Sequence, residues 1–169
     1  RELPCHLRVR QREPWQQAVR GRVPRHVPQA DLVRRSLLTL LLMTHAETGG
    51  IVAAPTTSLP EDFGGERNWD YRYCWLRDAF FVVRALNSLS EVATMEEYLR
   101  WLNNVVVRSR GGHIQPLYGI GQEERLTEAI LGHLPGYRGQ GPVRVGNQAQ
   151  EHFQHDVYGN IVLGAAQAF

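Results

Sequence analysis

Eleven consecutive residues, Asn68–Asp78, hold Trp69, Tyr71, Tyr73 and Trp75 interleaved with Asp70, Arg72, Arg77 and Asp78. Aromatic rings beside carboxylates and guanidinium groups suit sugars. The apolar face of a pyranose stacks on a ring while its hydroxyls bond to the charged groups. Arg77 and Asp78 stand where a loop is predicted to enter a helix. There the Asp can accept from hydroxyls while the Arg fixes its rotamer. Three further readings of these residues compete. Alternating Trp and Tyr fit a half-buried core strand. Arg mixed with aromatics can stack on single-stranded nucleic acid. Asp78 also fits a plain N-cap.

The other chemistry-bearing residues narrow the range. The 19 basic residues are all Arg, which excludes a Schiff-base lysine or a P-loop lysine. Cys5 and Cys74 are the only cysteines and form no CxxC, so no disulfide framework is expected and a reducing, cytoplasmic setting is. His152 and His155 share a helical face at i, i+3, but no third ligand of obvious spacing accompanies them, so neither a metal site nor a cofactor is expected. Residues 1–35 carry nine Arg against Glu2, Glu13 and Asp31, whereas the rest of the chain is net acidic. A basic arm of this kind can bind nucleic acid or an anionic surface. Its prolines and sparse apolar residues instead predict a poorly ordered arm over 1–30. No apolar h-region follows the early charges, so it is not expected to be a secretory signal.

Four helices are predicted to position these groups. Residues 31–46 have Leu32, Val33, Leu37, Leu40 and Leu41 at helical spacing, Asp31 as a cap and Gly49-Gly50 as a stop. A second helix is expected over 78–89 and a third over 94–109, the latter opened by a Thr94/Glu97 capping box. A fourth is expected from 147 to Phe169, with Phe153, Val157, Ile161 and Leu163 near one face. Short strands are expected at Ile51–Ala54 and His113–Leu117. The links 49–76 and 110–146 are far longer than ordinary connections, and loops of that length are usually functional. The densest apolar run, 37–43, is far short of the roughly 20 residues that cross a bilayer. Helical register persists to Phe169, so the polypeptide is expected to be a piece of something longer.

The segment Ile51-Val-Ala-Ala-Pro-Thr-Thr-Ser-Leu-Pro-Glu61, followed by Gly64-Gly-Glu-Arg-Asn-Trp-Asp-Tyr-Arg-Tyr-Cys-Trp-Leu-Arg-Asp78, closely resembles bacterial glycoside hydrolase family 15. The resemblance continues through Gln115–Ile120, His133–Gly139, Pro142–Asn147 and His155–Gly159, and spans about 31–169. It implies an all-α fold, a partial (α/α)6 barrel whose first four helices carry long pocket loops. It also implies inverting hydrolysis of terminal α-glucosidic bonds in an α-glucan, an oligosaccharide or trehalose, with no cofactor. By the same resemblance, Arg77 and Asp78 match the pair that holds the innermost glucose, and Tyr71 and Trp75 match aromatics lining that subsite. Tyr137 and Arg138 match a loop that contacts the next sugar. Gln154 and Asp156 match positions with a structural hydrogen-bonding role. The family's two catalytic glutamates are expected beyond Phe169, so no catalytic residue is assigned and the chain alone is expected to be inactive. Its partners would be the carbohydrate and the remaining barrel helices, not a membrane. A non-catalytic carbohydrate-binding remnant is the alternative, followed by nucleic-acid binding through the arm.

Overall fold

A computed structural model describes residues 19, 22–24 and 26–168. The expectation of a poorly ordered arm falls largely on residues outside that set. Val19 and Val23 within it are buried. The fold is mostly helical. Four α-helices of ten residues or more can be described: α1 (Ala30–Leu42), α2 (Leu76–Ser88), α3 (Val92–Arg108) and α4 (Asp156–Ala165). Two short antiparallel ladders accompany them. β1 (Cys74–Trp75) pairs with β2 (Leu117–Tyr118), and β3 (Ala129–Ile130) pairs with β4 (Arg144–Val145).

Where the helix boundaries depart from the local signals, a tertiary contact has taken over. Helix α1 stops at Leu42, and its N-cap position is Gln29 in the left-handed region, with Asp31 inside the first turn. The Gly49-Gly50 pair does not end it. Thr44 instead bridges to Ile51, and Gly49 lies so close to α3 that a Cβ there would collide with the Glu97 carbonyl. The pair thus serves a close approach and a positive φ, which glycine alone allows cheaply. The Thr94/Glu97 capping box is absent. Glu91 holds the N-cap position, and the Thr94 hydroxyl donates back to its carboxylate at 3.1 Å. Glu91 is buried and paired with Arg22, so the start of α3 is set by this ion pair.

Helix α2 begins at Leu76, two residues ahead of Asp78, because β1 feeds straight into it and the Leu76 N–H donates to the Pro116 carbonyl. Asp78 is therefore a first-turn residue and not the N-cap. Helix α4 starts at Asp156, well after Asn147. The intervening chain makes a 3-10 turn over Gln148–Glu151, capped by the Asn147 side chain, which accepts from the Ala149 N–H at 3.0 Å. Ile51 forms an isolated bridge where a strand was expected, and of His113–Leu117 only Leu117 enters a ladder.

The main core joins Leu76, Ala79 and Val83 of α2 to Tyr98, Trp101 and Leu102 of α3 and Val157 of α4. Trp101 stacks on Tyr98 with ring centroids 5.9 Å apart and donates its indole N–H to the Ile120 carbonyl at 3.0 Å. A second cluster packs Leu37 of α1 and Leu86 of α2 against Val19 and Val23. Apolar side chains also face outward, including Phe81 on α2, Val107 on α3 and Val162 on α4. Among the described residues no helix is long and apolar enough to cross a membrane.

Candidate active-site cleft

The β1–α2 junction sets the site. An extended chain turns into a helix there, so Trp75 and Arg77 leave on the same side as the preceding Tyr71 and Trp69. All four line one open cleft of about 310 Å³. The opposing wall comes from the second long loop and the approach to α4. It contributes Glu128, Asn147, Gln148, His152 and Gln154.

A buried aspartate fastens the two loops together. Asp70 is inaccessible to solvent, and its carboxylate accepts a bidentate pair from Arg72, at 2.9 and 2.8 Å. It also accepts from the Gly146 N–H at 3.2 Å, while the Asn147 amide donates to the Asp70 carbonyl at 3.0 Å. A charged acceptor with that many donors is strongly held. Gly146 has a φ of +82°, and a Cβ there would strike the Thr127 carbonyl. The turn that presents Asn147 to the cleft therefore needs glycine.

Arg77 donates to Asp156 Oδ2 at 2.8 Å and approaches Gln154 Oε1 at 3.5 Å. These bonds hold one guanidinium nitrogen of an exposed side chain. They leave the others able to reach a ligand. Gln154 and Asp156 thus do form hydrogen bonds, and their common partner is Arg77. Asp78 is solvent-accessible and is not among the residues lining the cleft. The surrounding protein nevertheless desolvates its carboxyl enough to raise its pKa above the ordinary aspartate value, with the Arg77 charge opposing the rise.

Tyr71 donates its hydroxyl to Glu61 Oε1 at 2.5 Å. Burial, followed by that bond and the Glu61 charge, pushes its pKa up to about 12. The phenol stays protonated at any physiological pH. The Trp75 indole N–H is buried and finds no acceptor among the described residues. Trp69 carries the Arg144 guanidinium 4.7 Å from its ring centroid, within cation–π range.

Tyr137 and Arg138 lie outside the cleft lining. They form an exposed turn in which Arg138 sits 5.3 Å over the Tyr137 ring, and Tyr137 bridges to Gln140. His152 lines the cleft, whereas His155 packs edge-on against Phe153 at 4.8 Å. The described residues include no group of three or more His, Cys, Asp or Glu able to hold a metal. Glu128 and Gln148 are cleft residues that sequence reasoning missed, and only the length of the loop 110–146 pointed toward Glu128. Asn147 stands out in the sequence only as the end of a family-like segment, and His152 only as half of a histidine pair.

The arrangement can stack a small polar ring and bond its periphery. It offers three aromatic side chains, one guanidinium, three side-chain amides, one carboxylate and one imidazole. Comparison with known proteins agrees with that chemistry. Residues 27–169 match the family model described as glycosyl hydrolases family 15. The chain is 41% identical over 153 residues to a trehalase of Mycolicibacterium smegmatis, covering 89% of this chain and 23% of that protein. It is 44% identical over 131 residues to a trehalase of Thermoplasma volcanium, covering 78% of this chain and 20% of that protein. The trehalase 2 of Sulfolobus acidocaldarius is 38% identical over 125 residues, covering 74% of this chain and 22% of that protein. The chain thus spans between a fifth and a quarter of the length of these curated relatives. No solved structure matches it. A match of this extent means that the chain belongs to family 15 of the glycosyl hydrolases.

Proposed function

We propose that this chain supplies the sugar-recognising part of an inverting glycoside hydrolase acting on terminal α-glucosidic bonds, with trehalose the preferred substrate. The observation that carries the proposal is the convergence of Trp69, Tyr71, Trp75 and Arg77 on one cleft. The rings would stack against a glucose unit, and the guanidinium, steadied by Asp156, would donate to its hydroxyls. Asp78 lies beside this group in the first turn of α2 and would accept from a hydroxyl of the same glucose. Tyr137 and Arg138 would reach the second sugar. The trehalose preference rests on the relatives named above.

Hydrolysis with inversion needs a general acid and a general base about 6.5–9.5 Å apart, with a water between them. Glu128 is the one carboxylate among the described residues lining the cleft, and it is already paired with Arg144. The chain would therefore bind without cutting. The acid and base would come from further parts of a family 15 domain, whose remaining helices would close an (α/α)6 barrel against the outward apolar faces of α2, α3 and α4. Titrating the purified chain with trehalose and following tryptophan fluorescence tests this. Saturable binding that Arg77→Ala weakens by roughly tenfold or more, with no glucose released, is expected. Absence of saturable binding would refute the sugar site, and release of glucose would refute the missing acid and base.

A further inference from the structure

Glu128 enters the cleft from β3's side, facing the loop that bears the aromatics. Its carboxylate lies 3.1 Å from Arg144 Nε, and the two side chains are 22% and 11% exposed. Neither carboxylate oxygen makes a hydrogen bond to any described residue. The contact with Arg144 is an ion pair whose angle falls outside hydrogen-bond geometry, and the Arg144 Nε–H is buried without an acceptor. Its oxygens remain open to the cleft, so the charge is balanced while the carboxylate can still accept a hydrogen bond from a ligand there.

Arg144 is fixed on all sides. Its Nη1 donates to the Glu66 carbonyl at 2.8 Å, and its guanidinium covers Trp69 at 4.7 Å. Its own backbone carbonyl accepts from Thr57 at 2.7 Å and from Ser58 at 3.2 Å. The cation cannot swing into the cleft to take a ligand. It can hold Glu128 in place, and brace Trp69 as the adjoining wall.

We propose that Glu128 is a second carboxylate ligand of the sugar, accepting from a hydroxyl of the bound glucoside, with Arg144 as its positioning residue. The assignment rests on the sugar-binding role proposed above and adds a hydroxyl acceptor on the wall opposite Arg77. A carboxylate suits this because a sugar hydroxyl donates to a charged acceptor more strongly than to a neutral one.

Fluorescence titration of the full chain with methyl α-glucoside, its four mono-deoxy analogues and trehalose tests the assignment. Glu128→Gln and Glu128→Ala should each weaken trehalose binding, by roughly tenfold or more for the alanine, the loss expected for a bond to a charged group. Wild type should discriminate against each analogue whose missing hydroxyl is bound. Glu128→Gln should lose discrimination at one of those hydroxyls and keep it at the others. A merely structural role would weaken all analogues alike, and that pattern, or affinities within twofold of wild type, overturns the assignment. Should the alanine variant fail to fold, the isosteric glutamine carries the test alone. Binding that is lost in Arg77→Ala but intact in both Glu128 variants removes Glu128 and leaves the cleft. Absence of binding by wild type removes both.

Discussion

The molecule is held together in two different ways. The helices meet through apolar side chains, with Val83, Leu102 and Val157 in one continuous core. The two long loops meet through polar bonds: Asp70 with Gly146 and Asn147, Arg144 with Glu66, and Thr57 and Ser58 with the Arg144 carbonyl. Apolar packing is non-directional and sums over area, so it fixes where helices sit without fixing any one atom. Hydrogen bonds are directional, so they fix which side chains the loops turn toward the cleft. Scaffold and site are thus separable by the kind of force that orders them.

The separation can be broken from either side. Trp101→Ala empties the centre of the helical core and strands the Ile120 carbonyl, at a cost of about 3–5 kcal/mol. A large fall in the urea midpoint is expected, while any folded fraction keeps its affinity for trehalose. Asp70→Ala should cost about 2–4 kcal/mol, because its donors lose a buried charged partner although half-exposed Arg72 can turn to water. Unlike the core change, it should also abolish sugar binding, and intact affinity would show that the loops need no such fastening. Arg77→Ala should lower affinity by roughly tenfold or more and leave the melting temperature almost unmoved, since its ion pair with Asp156 is exposed. The smallest effect concerns Asp78. Its folded pKa is raised, chiefly by desolvation. Its contribution to stability is therefore fully present below the unfolded pKa and lost as pH rises through the folded one. Asp78→Asn should accordingly stabilise the chain slightly at pH 7 and not at pH 3, in thermal melts at both pH values. A stabilised variant that no longer binds sugar would mark Asp78 as kept for function at the expense of stability.

Local pattern was informative where one element decides its own fate. Periodicity placed α2 and α3 within two residues at their starts, and the Trp69–Asp78 segment delivered Tyr71, Trp75 and Arg77 to one cleft because they are neighbours in sequence. It failed where distant residues decide. Helix α1 ends early because Gly49 is needed against α3. Helix α4 starts late because Asn147 is engaged with Asp70 and caps a separate turn. Glu128 and His152 share the cleft with Trp69 only through contacts spanning much of the chain, which no window of a dozen residues contains. Tyr137 and Arg138 form an exposed turn outside the cleft lining, tied through Gln140 to Gly64 and Asn68 of the other loop.

The loop fastening also orders events in time. Asp70 and the Gly146 N–H that it binds are 76 residues apart. At ribosomal rates of roughly 5–20 residues per second, Gly146 is made roughly 4–15 s after Asp70. Helix α2 can begin to form in microseconds. During synthesis the aspartate must therefore wait, hydrated and charged, beside a helix that has already begun to form. The cleft cannot close until residues up to Gln154 have been made, and a nascent chain paused before then would leave the Trp69–Trp75 aromatics without their opposing wall.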